Sequence, residues 1–395
     1  MNVATPVLVL TTGNLGHGIA RTLGRLGVRA YVVHATANLP AARSRYWEQK
    51  FVWPFATAPA AESIEWLIQL GKRIGSRPIL IPADDIVCLL VADHAEALHD
   101  TFQFPGQPAG LARALSNKQQ MYYLCERHSI PTPATAFPQT RADVLAFAET
   151  ATFPVMLKPI ENRMAQRRSN MRMVKAEDAH ALVRHYDEME DPGCPNYMIQ
   201  EYIPGGPDMV WMFDGYFDGD SRCLFGMTGK KLRQFPPYTG VTSLGICVAN
   251  ETVARQTTEF MRAIAYRGVL DLGYKYDVRN GQYRLLDVNP RVGSTFRLFV
   301  DSVGMDVIRA LYLDLTGQPV ITGEMVEGRK WIVENFDTIS SVRYMRDGRL
   351  GILEWLRSLS GVAEGSWLAT DDLAPFAGML RYAVSKGFAQ FRSEG

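Results

Sequence analysis

An aspartate and an asparagine stand two residues apart in "YRLLDVNPRVGSTF" (283–296), and an arginine follows the asparagine at the same interval. Successive side chains of a β-strand alternate faces, so Tyr283, Leu285, Asp287 and Asn289 share one side while Leu286 and Val288 take the other. A carboxylate beside an amide oxygen suits a hard cation such as magnesium, and Arg291 could hold an anion next to it. An edge strand with solvated polar ends would carry the same residues. Two lysines extend the inventory. In "SNKQQMYYLCERHSIPTP" (116–133), Ser116 and Gln119 stand at capping-box spacing, which starts a helix and leaves Lys118 in its first turn. A lysine there opposes the helix dipole, and an anionic ligand would explain it. In "FPVMLKPI" (153–160), Lys158 ends a strand whose other face carries Val155 and Leu157, so it either meets a ligand or snorkels to the surface. "YMIQEYIPGGPDMVWMF" (197–213) is a strand ending in a Pro-Gly-Gly turn. Its backbone groups could read a purine edge, and Asp208 could bind a ribose hydroxyl.

Other clusters carry less. "TTGNLGHG" (11–18) follows a strand and opens a helix, where backbone N–H groups can receive an anion or simply pack. Its spacing is G-x-x-G-x-G, and no acid ends the second strand, so it is not a dinucleotide fingerprint. "PADD" (82–85) ends another strand of the same sheet, from which Asp84 or Asp85 could reach the crevice or cap a helix. The five cysteines are scattered without C-x-x-C spacing and read as reduced packing residues. The histidine pairs His94/His99 and His180/His185 are five apart, which does not stack them on one helix face as a metalloprotease needs. No G-x-S-x-G elbow supports serine chemistry.

The elements that must position these residues change in kind along the chain. Strand-like runs "VLVL" (7–10), "AYVV" (30–33), "FVW" (51–53) and "ILIP" (79–82) alternate with helical patterns such as Leu15, Ile19, Leu23, Leu26, which is the order of a parallel sheet covered by helices. "FPGQPAG" (104–110) marks a boundary, after which long strands and hairpins dominate. With 395 residues, 47% hydrophobic and 21% charged, the chain has room for two or three domains. A formal charge of +1 gives no global pull toward nucleic acid or membrane, and no apolar run reaches the length of a spanning helix. The expectation is a cytoplasmic protein acting on small molecules.

Two lysines, a strand-turn with an acid, and finally "DVNPR" follow one another in an order that resembles the ATP-grasp superfamily over residues 1 to about 320. The resemblance implies an α/β and α+β multidomain chain. A parallel α/β domain (1–112) would precede an ATP-grasp domain (113–325), whose two β-rich lobes, about 113–196 and about 197–325, clamp ATP; residues 326–395 would form a C-terminal helical extension. It also implies ATP and magnesium, or manganese, as cofactors. Lys118 and Lys158 fall where such enzymes hold the ATP phosphates, and Gln200 where a side chain meets the adenine amino group. Glu201 and Ile203 lie on the segment linking the lobes around adenine, and Asp208 replaces the usual ribose-binding glutamate. Asp287 and Asn289 match the E-x-N metal pair with aspartate for glutamate, and Arg291 is the "NPR" arginine. A further metal ligand is expected on the preceding strand, with Asp277 the candidate. A two-residue Asn280-Gly281 turn would face it away from Asp287, and a three-residue loop would bring it round. Lys275 depends on the same loop.

Within the superfamily the chain looks most like carboxylate-amine ligases of the D-aspartate ligase type, through "KLRQFPPYTG" (231–240) and "YKYDVRNGQYRLLDVNPRVG" (274–293). That implies small-molecule carboxylate and amine substrates. The carboxylate would attack the γ-phosphate to give an acyl phosphate and ADP, and the amine would displace phosphate. Arg291 is the first candidate to hold the carboxylate or the developing tetrahedral charge, with Lys231 and Arg233 behind it. The loop after Lys158 departs from the glycine-rich pattern. Its Arg163, Arg167, Arg168 or Arg172 would substitute guanidinium for backbone contacts, or form a solvated charge run. A ligase with a thiol acceptor, and a nucleotide-binding module without catalysis, are the competing readings. A homodimer is compatible with all of them.

Overall fold

The computed structural model describes residues 1–161 and 173–393, with the side chains of the last helix described up to Ala383. It divides into two compact units: Met1–Ala112 with Trp211–Asp271 and Asn289–Gly395, and Arg113–Val210 with Leu272–Val288.

The first unit opens on four parallel strands, β1 (Val7–Thr11), β2 (Ala30–His34), β3 (Trp47–Val52) and β4 (Ile79–Pro82), in the order β3-β2-β1-β4. Every residue of β1 and β2 is buried, because helices cover both faces and an all-parallel strand must then be apolar throughout. Val7 and Val9 pack with Ile19 and Leu23 of the helix His17–Arg25, while Leu8 and Leu10 pack with Ile64, Leu67 and Leu70 of the helix Ala60–Ile74. The alternation of side chains along one strand thus feeds two separate cores.

In the second unit, β5 (Thr135–Ala136), β6 (Val155–Pro159), β7 (Val174–Ala176) and β8 (Tyr197–Glu201) form a sheet ordered β5-β8-β6-β7, antiparallel throughout. Val155, Leu157 and Ile199 bury one face of it against Val144 of the helix Arg141–Thr150 and Leu182 and Tyr186 of the helix Ala179–Met189. The opposite face therefore presents the even-numbered neighbours, Lys158 among them.

The remaining strands are β9 (Val210–Phe217), β10 (Cys223–Phe235), β11 (Val241–Cys247), β12 (Gly268–Asp277), β13 (Gln282–Asn289), β14 (Lys330–Ile332) and β15 (Val362–Gly365). Their order is β13-β12-β9-β10-β11-β14-β15, and the division between the units falls within β12 and β13.

The C-terminal residues, expected as a helical extension, contribute β14 and β15 as well as helices, with β14 pairing antiparallel to β11 through Leu244 and Ile332. They also meet the first helix. Arg21, 1% exposed, donates from Nε to Asp372 at 3.0 Å and from its two Nη groups to the carbonyls of Ser366 and Trp367, each at 2.7 Å. No helix among the described residues is long and apolar enough to cross a membrane.

Candidate active site

In the second unit the two expected phosphate lysines are brought together, though the helix start differs from expectation. The cap of the helix Lys118–Arg127 is Asn117, whose Oδ1 accepts from the backbone of Gln119 at 3.1 Å and of Gln120 at 3.0 Å. Ser116 closes the preceding helix instead. Both residues are good caps, and one position of slip is enough to exchange them. Lys118 keeps its place in a first turn that holds no acid. The Asn117 amide donates to Glu161 at 2.8 Å, which ties the helix start to the end of β6.

Lys158 leaves β6 and donates to Gln200 Oε1 at 2.5 Å, and the Gln200 amide nitrogen donates to Thr135 at 3.2 Å. Burial pushes the Lys158 amine down to about 8, Lys118 adds to the effect, and Asp287 opposes it. Lys158 thus feels one neighbouring cation and one opposing carboxylate, an arrangement that a polyanion would relieve. Gln200, expected to meet a purine amino group, positions Lys158 in this structure. Glu201 is held by Arg279 at 2.5 Å and accepts from the Ala134 backbone at 3.2 Å. Ile203 is 4% exposed, Asp208 is exposed in the single turn Pro207–Met209, and Lys275 donates to the Gly205 carbonyl at 2.8 Å. Arg163, Arg167, Arg168 and Arg172 lie outside the described residues.

Asp277 is not placed as a metal ligand. Its carboxylate takes Arg279 at 2.7 Å on each oxygen and Arg284 at 3.1 Å. The connection is the four-residue stretch 278–281, closed by Gly281 N–H donating to the Asp277 carbonyl at 2.8 Å. Arg284 stands three residues from Asp287 and therefore on the other side of a regular strand. Hydrogen bonds from Arg279 hold the Asp277 carboxyl down at about 2. A depressed carboxyl stabilises the fold above its ordinary range, and the contribution is lost as pH falls toward 2. Asp277→Asn should therefore cost about 1–3 kcal/mol at neutral pH, with the difference in melting temperature shrinking between pH 4 and pH 2. The concentration of magnesium needed for half-maximal turnover should stay where it is. A large rise in that concentration would restore Asp277 to the metal site.

The first unit holds the rest of the motif. Asn289 donates to Asp271 at 3.1 Å and accepts from Arg291 at 3.3 Å, and Arg291 Nε donates to Asp85 at 2.6 Å. Asp84 is fully used: one oxygen accepts from Ile86 and Val87 as the cap of the helix Asp85–Asp93, the other from the backbone and hydroxyl of Thr12. "PADD" thus fastens the glycine-rich turn with its first acid and reaches Arg291 with its second. Gly293 packs on Asp271, where a Cβ would come within 2.6 Å of the carboxyl carbon. The chain after Arg291 can lie this close only because residue 293 has no side chain.

Asp271 was missed by sequence reasoning, although an acid between Leu270 and Leu272 in a buried strand was the signal. Nearby Asp214 is fully buried with no hydrogen-bond partner on either oxygen among the described residues, and burial, then Asp271 and Asp306, hold its carboxyl well above the usual range. The oxygen donors of Asp287, Asn289 and Asp271 suit magnesium chemically. Among the described residues no three His, Cys, Asp or Glu side chains gather into a preformed cage. Magnesium usually takes one or two carboxylates together with substrate phosphates, so these donors fit it.

No family model matches the chain. A D-aspartate ligase of Enterococcus faecium is 25% identical over 318 residues, 77% of this chain and 75% of that protein. A biotin carboxylase of Pseudomonas aeruginosa is 22% identical over 328 residues, 79% of this chain and 70% of that protein. Among solved structures, L-amino acid ligase from Bacillus licheniformis aligns with a TM-score of 0.61 at 15% identity, over 84% of this chain and 79% of that one. N5-carboxyaminoimidazole synthetase from Staphylococcus aureus, complexed with ADP, aligns with a TM-score of 0.64 at 12% identity, over 84% and 82%. The chain has the ATP-grasp fold.

Two of the cations expected to be catalytic are engaged elsewhere. Arg233, 5% exposed, forms a two-pronged pair with the buried Asp337 at 2.7 and 2.9 Å and donates its remaining Nη to Ser358 at 2.7 Å. It anchors the C-terminal segment, and its distance in sequence from Asp337 hid that role. Lys231 donates to the Gly240 carbonyl at 3.2 Å, which Gln234 also grips at 2.7 Å. Arg291 differs. Three of its five N–H groups meet Asp85, Val292 and Asn289, which orients the guanidinium and leaves one donor on each Nη.

Proposed function

We propose that this protein is an ATP-dependent ligase that activates a carboxylate as an acyl phosphate and joins it to an amine, releasing ADP and phosphate. The observation that supports it best is the lysine pair, Lys118 and Lys158, with Lys158 held near 8 by burial and by its neighbour. A triphosphate supplies the negative charge that this pair lacks. Asp287 and Asn289 would hold magnesium or manganese, with Asp271 in the place expected for Asp277. The metal, when bound, offsets phosphate charge and polarises the transferring group. Glu201 and Ile203 offer backbone groups to adenine, and exposed Asp208 the ribose contact.

Arg291, oriented by Asp85 and Asn289, points its two remaining donors at the carboxylate and then at the oxyanion of the tetrahedral intermediate. The carboxylate oxygen takes the γ-phosphoryl group and ADP leaves. The amine nitrogen then bonds to the acyl carbon as the C–O bond to phosphate breaks, and the amine proton departs with phosphate.

Magnesium and ATP together should raise the melting temperature, and NAD should not. A ligand that binds only the folded state stabilises it by about 2.7 kcal/mol at a hundredfold excess over its dissociation constant. Equal shifts with NAD, or none with ATP, would sink the nucleotide assignment.

A further inference from the structure

Two helices of the C-terminal segment carry apolar side chains on their outer faces: Ile339 and Val342 in the helix Glu334–Arg346, and Ile352, Leu353 and Leu356 in the helix Ile352–Ser358. The second group is the denser. Its three residues are 65%, 63% and 53% exposed, and the turn of an α-helix brings them within about 100° of one face. A single exposed leucine is ordinary on a protein surface, whereas side chains at i, i+1 and i+4 form a continuous stripe.

The remaining sides of that helix are fixed. Trp355 Nε1 donates to the buried Asp337 at 3.3 Å, the Ser358 hydroxyl accepts from Arg233 at 2.7 Å, and Lys330 donates to the carbonyls of Ser358 at 3.0 Å and Ser360 at 2.7 Å. Turning the helix to bury its leucines would break these bonds, so the stripe is held toward solvent. Two exposed charges flank it. Glu354 accepts the N–H of Gly351 at 3.3 Å and nothing else among the described residues, and Arg357 has no hydrogen-bond or ion-pair partner among them. The surface thus combines an apolar centre with one uncommitted acid and one uncommitted base.

We propose that a second copy of this chain docks on this face, the two Ile352–Ser358 helices crossing antiparallel about a twofold axis. Leu353 of one copy meets Leu356 of the other, and Glu354 of each comes within reach of Arg357 of the other. The charges select this occupant. A twofold interface must complement itself and so carries both signs, whereas an acidic or basic partner would be met by one sign and a membrane surface by a basic face. Self-pairing also gives Arg357 the acceptor it lacks within its own chain. The dimer braces from outside the segment that Arg233 and Asp337 hold from within, whatever reaction the protein catalyses.

The test is sedimentation equilibrium of the full-length protein. Wild type should approach twice the chain mass as its concentration rises through the micromolar range. Leu356→Glu brings like charges together across the axis and should raise the dimer dissociation constant at least about a hundredfold. Glu354→Arg and Arg357→Glu, made singly, each set like charges opposite one another and should raise it about tenfold; combined in one chain they should return it to within about threefold of wild type. All three positions are exposed, so circular dichroism should show each variant folded; if Leu356→Glu is not, the charge exchange decides. A monomer at every concentration, or a dimer whose dissociation constant none of these substitutions moves, would overturn the proposal. A double exchange no tighter than the single ones would overturn the antiparallel pairing.

Discussion

Asn289→Ala should lower hydroxamate formation at least about a hundredfold when ATP, magnesium, the right carboxylate and hydroxylamine are supplied. Hydroxylamine intercepts the acyl phosphate, so the assay reads activation without the natural amine. The size of the effect comes from two losses at one position. The variant removes an oxygen donor from the proposed metal pair, and it removes the acceptor that holds Arg291 at 3.3 Å and the donor that holds Asp271 at 3.1 Å. Groups that only orient metal ligands are worth about 10- to 100-fold, and a donor aimed at developing charge is worth about 10²–10³ in turnover. Asn289→Asp keeps an oxygen and should recover part of the loss at raised magnesium. ADP and phosphate are the products to expect, because lysines and a metal pair around the terminal phosphates favour transfer of the γ-phosphoryl group. AMP and pyrophosphate would overturn the mechanism, and full activity of Asn289→Ala would remove the role given to "DVN".

Lys158→Met should reduce kcat/KM for ATP by about 10²–10³-fold, the scale of a lost charge-stabilising donor. The pH profile makes the assignment specific. The ammonium form is needed to meet phosphate, and burial with Lys118 nearby brings its pKa down to about 8 in the nucleotide-free protein. The ratio kcat/KM reports groups of the free enzyme, so it should fall above pH 8, approaching tenfold per unit. Lys158→Arg stays charged and should lose that alkaline limb even if its maximum is lower. A limb that persists in the arginine variant would assign the titration to another group.

What could be read from sequence here was whatever depends on neighbours along the chain. The uninterrupted runs of β1 and β2 announced a sheet covered on both faces, and alternation in "FPVMLKPI" put Lys158 opposite the core residues Val155 and Leu157. The order of lysines, turn and "DVNPR" was equally open to inspection, since order is a property of the chain. What depends on partners across strands was not. Whether Asp277 is open to a metal was read from the length of the loop after it, and what decides its surroundings is its pairing with Arg279 and Arg284. Arg233 reads as a free cation until Asp337 is found 104 positions later. Asp85 was in view as one of two acids after a strand, but the reason it matters, Arg291, lies 206 positions away. Periodicity tells which way a side chain faces, and tertiary pairing decides what it meets.

The pairing of Arg21 with Asp372 has a consequence for how the protein is made. The two residues are 351 positions apart, and at about 5–20 residues per second the ribosome needs roughly 20 to 70 s to travel from one to the other. Before that interval ends the strands β1 to β4 are outside the tunnel, yet the helix laid across them carries a guanidinium whose acceptors, the carbonyls of Ser366, Trp367 and Asp372 and the carboxylate of Asp372, have not been synthesised. Water must serve that group until residues 366–372 emerge. The opening strands can therefore collapse early but cannot finish their own surface, and completing it is a docking event in which later-made residues displace solvent from earlier ones.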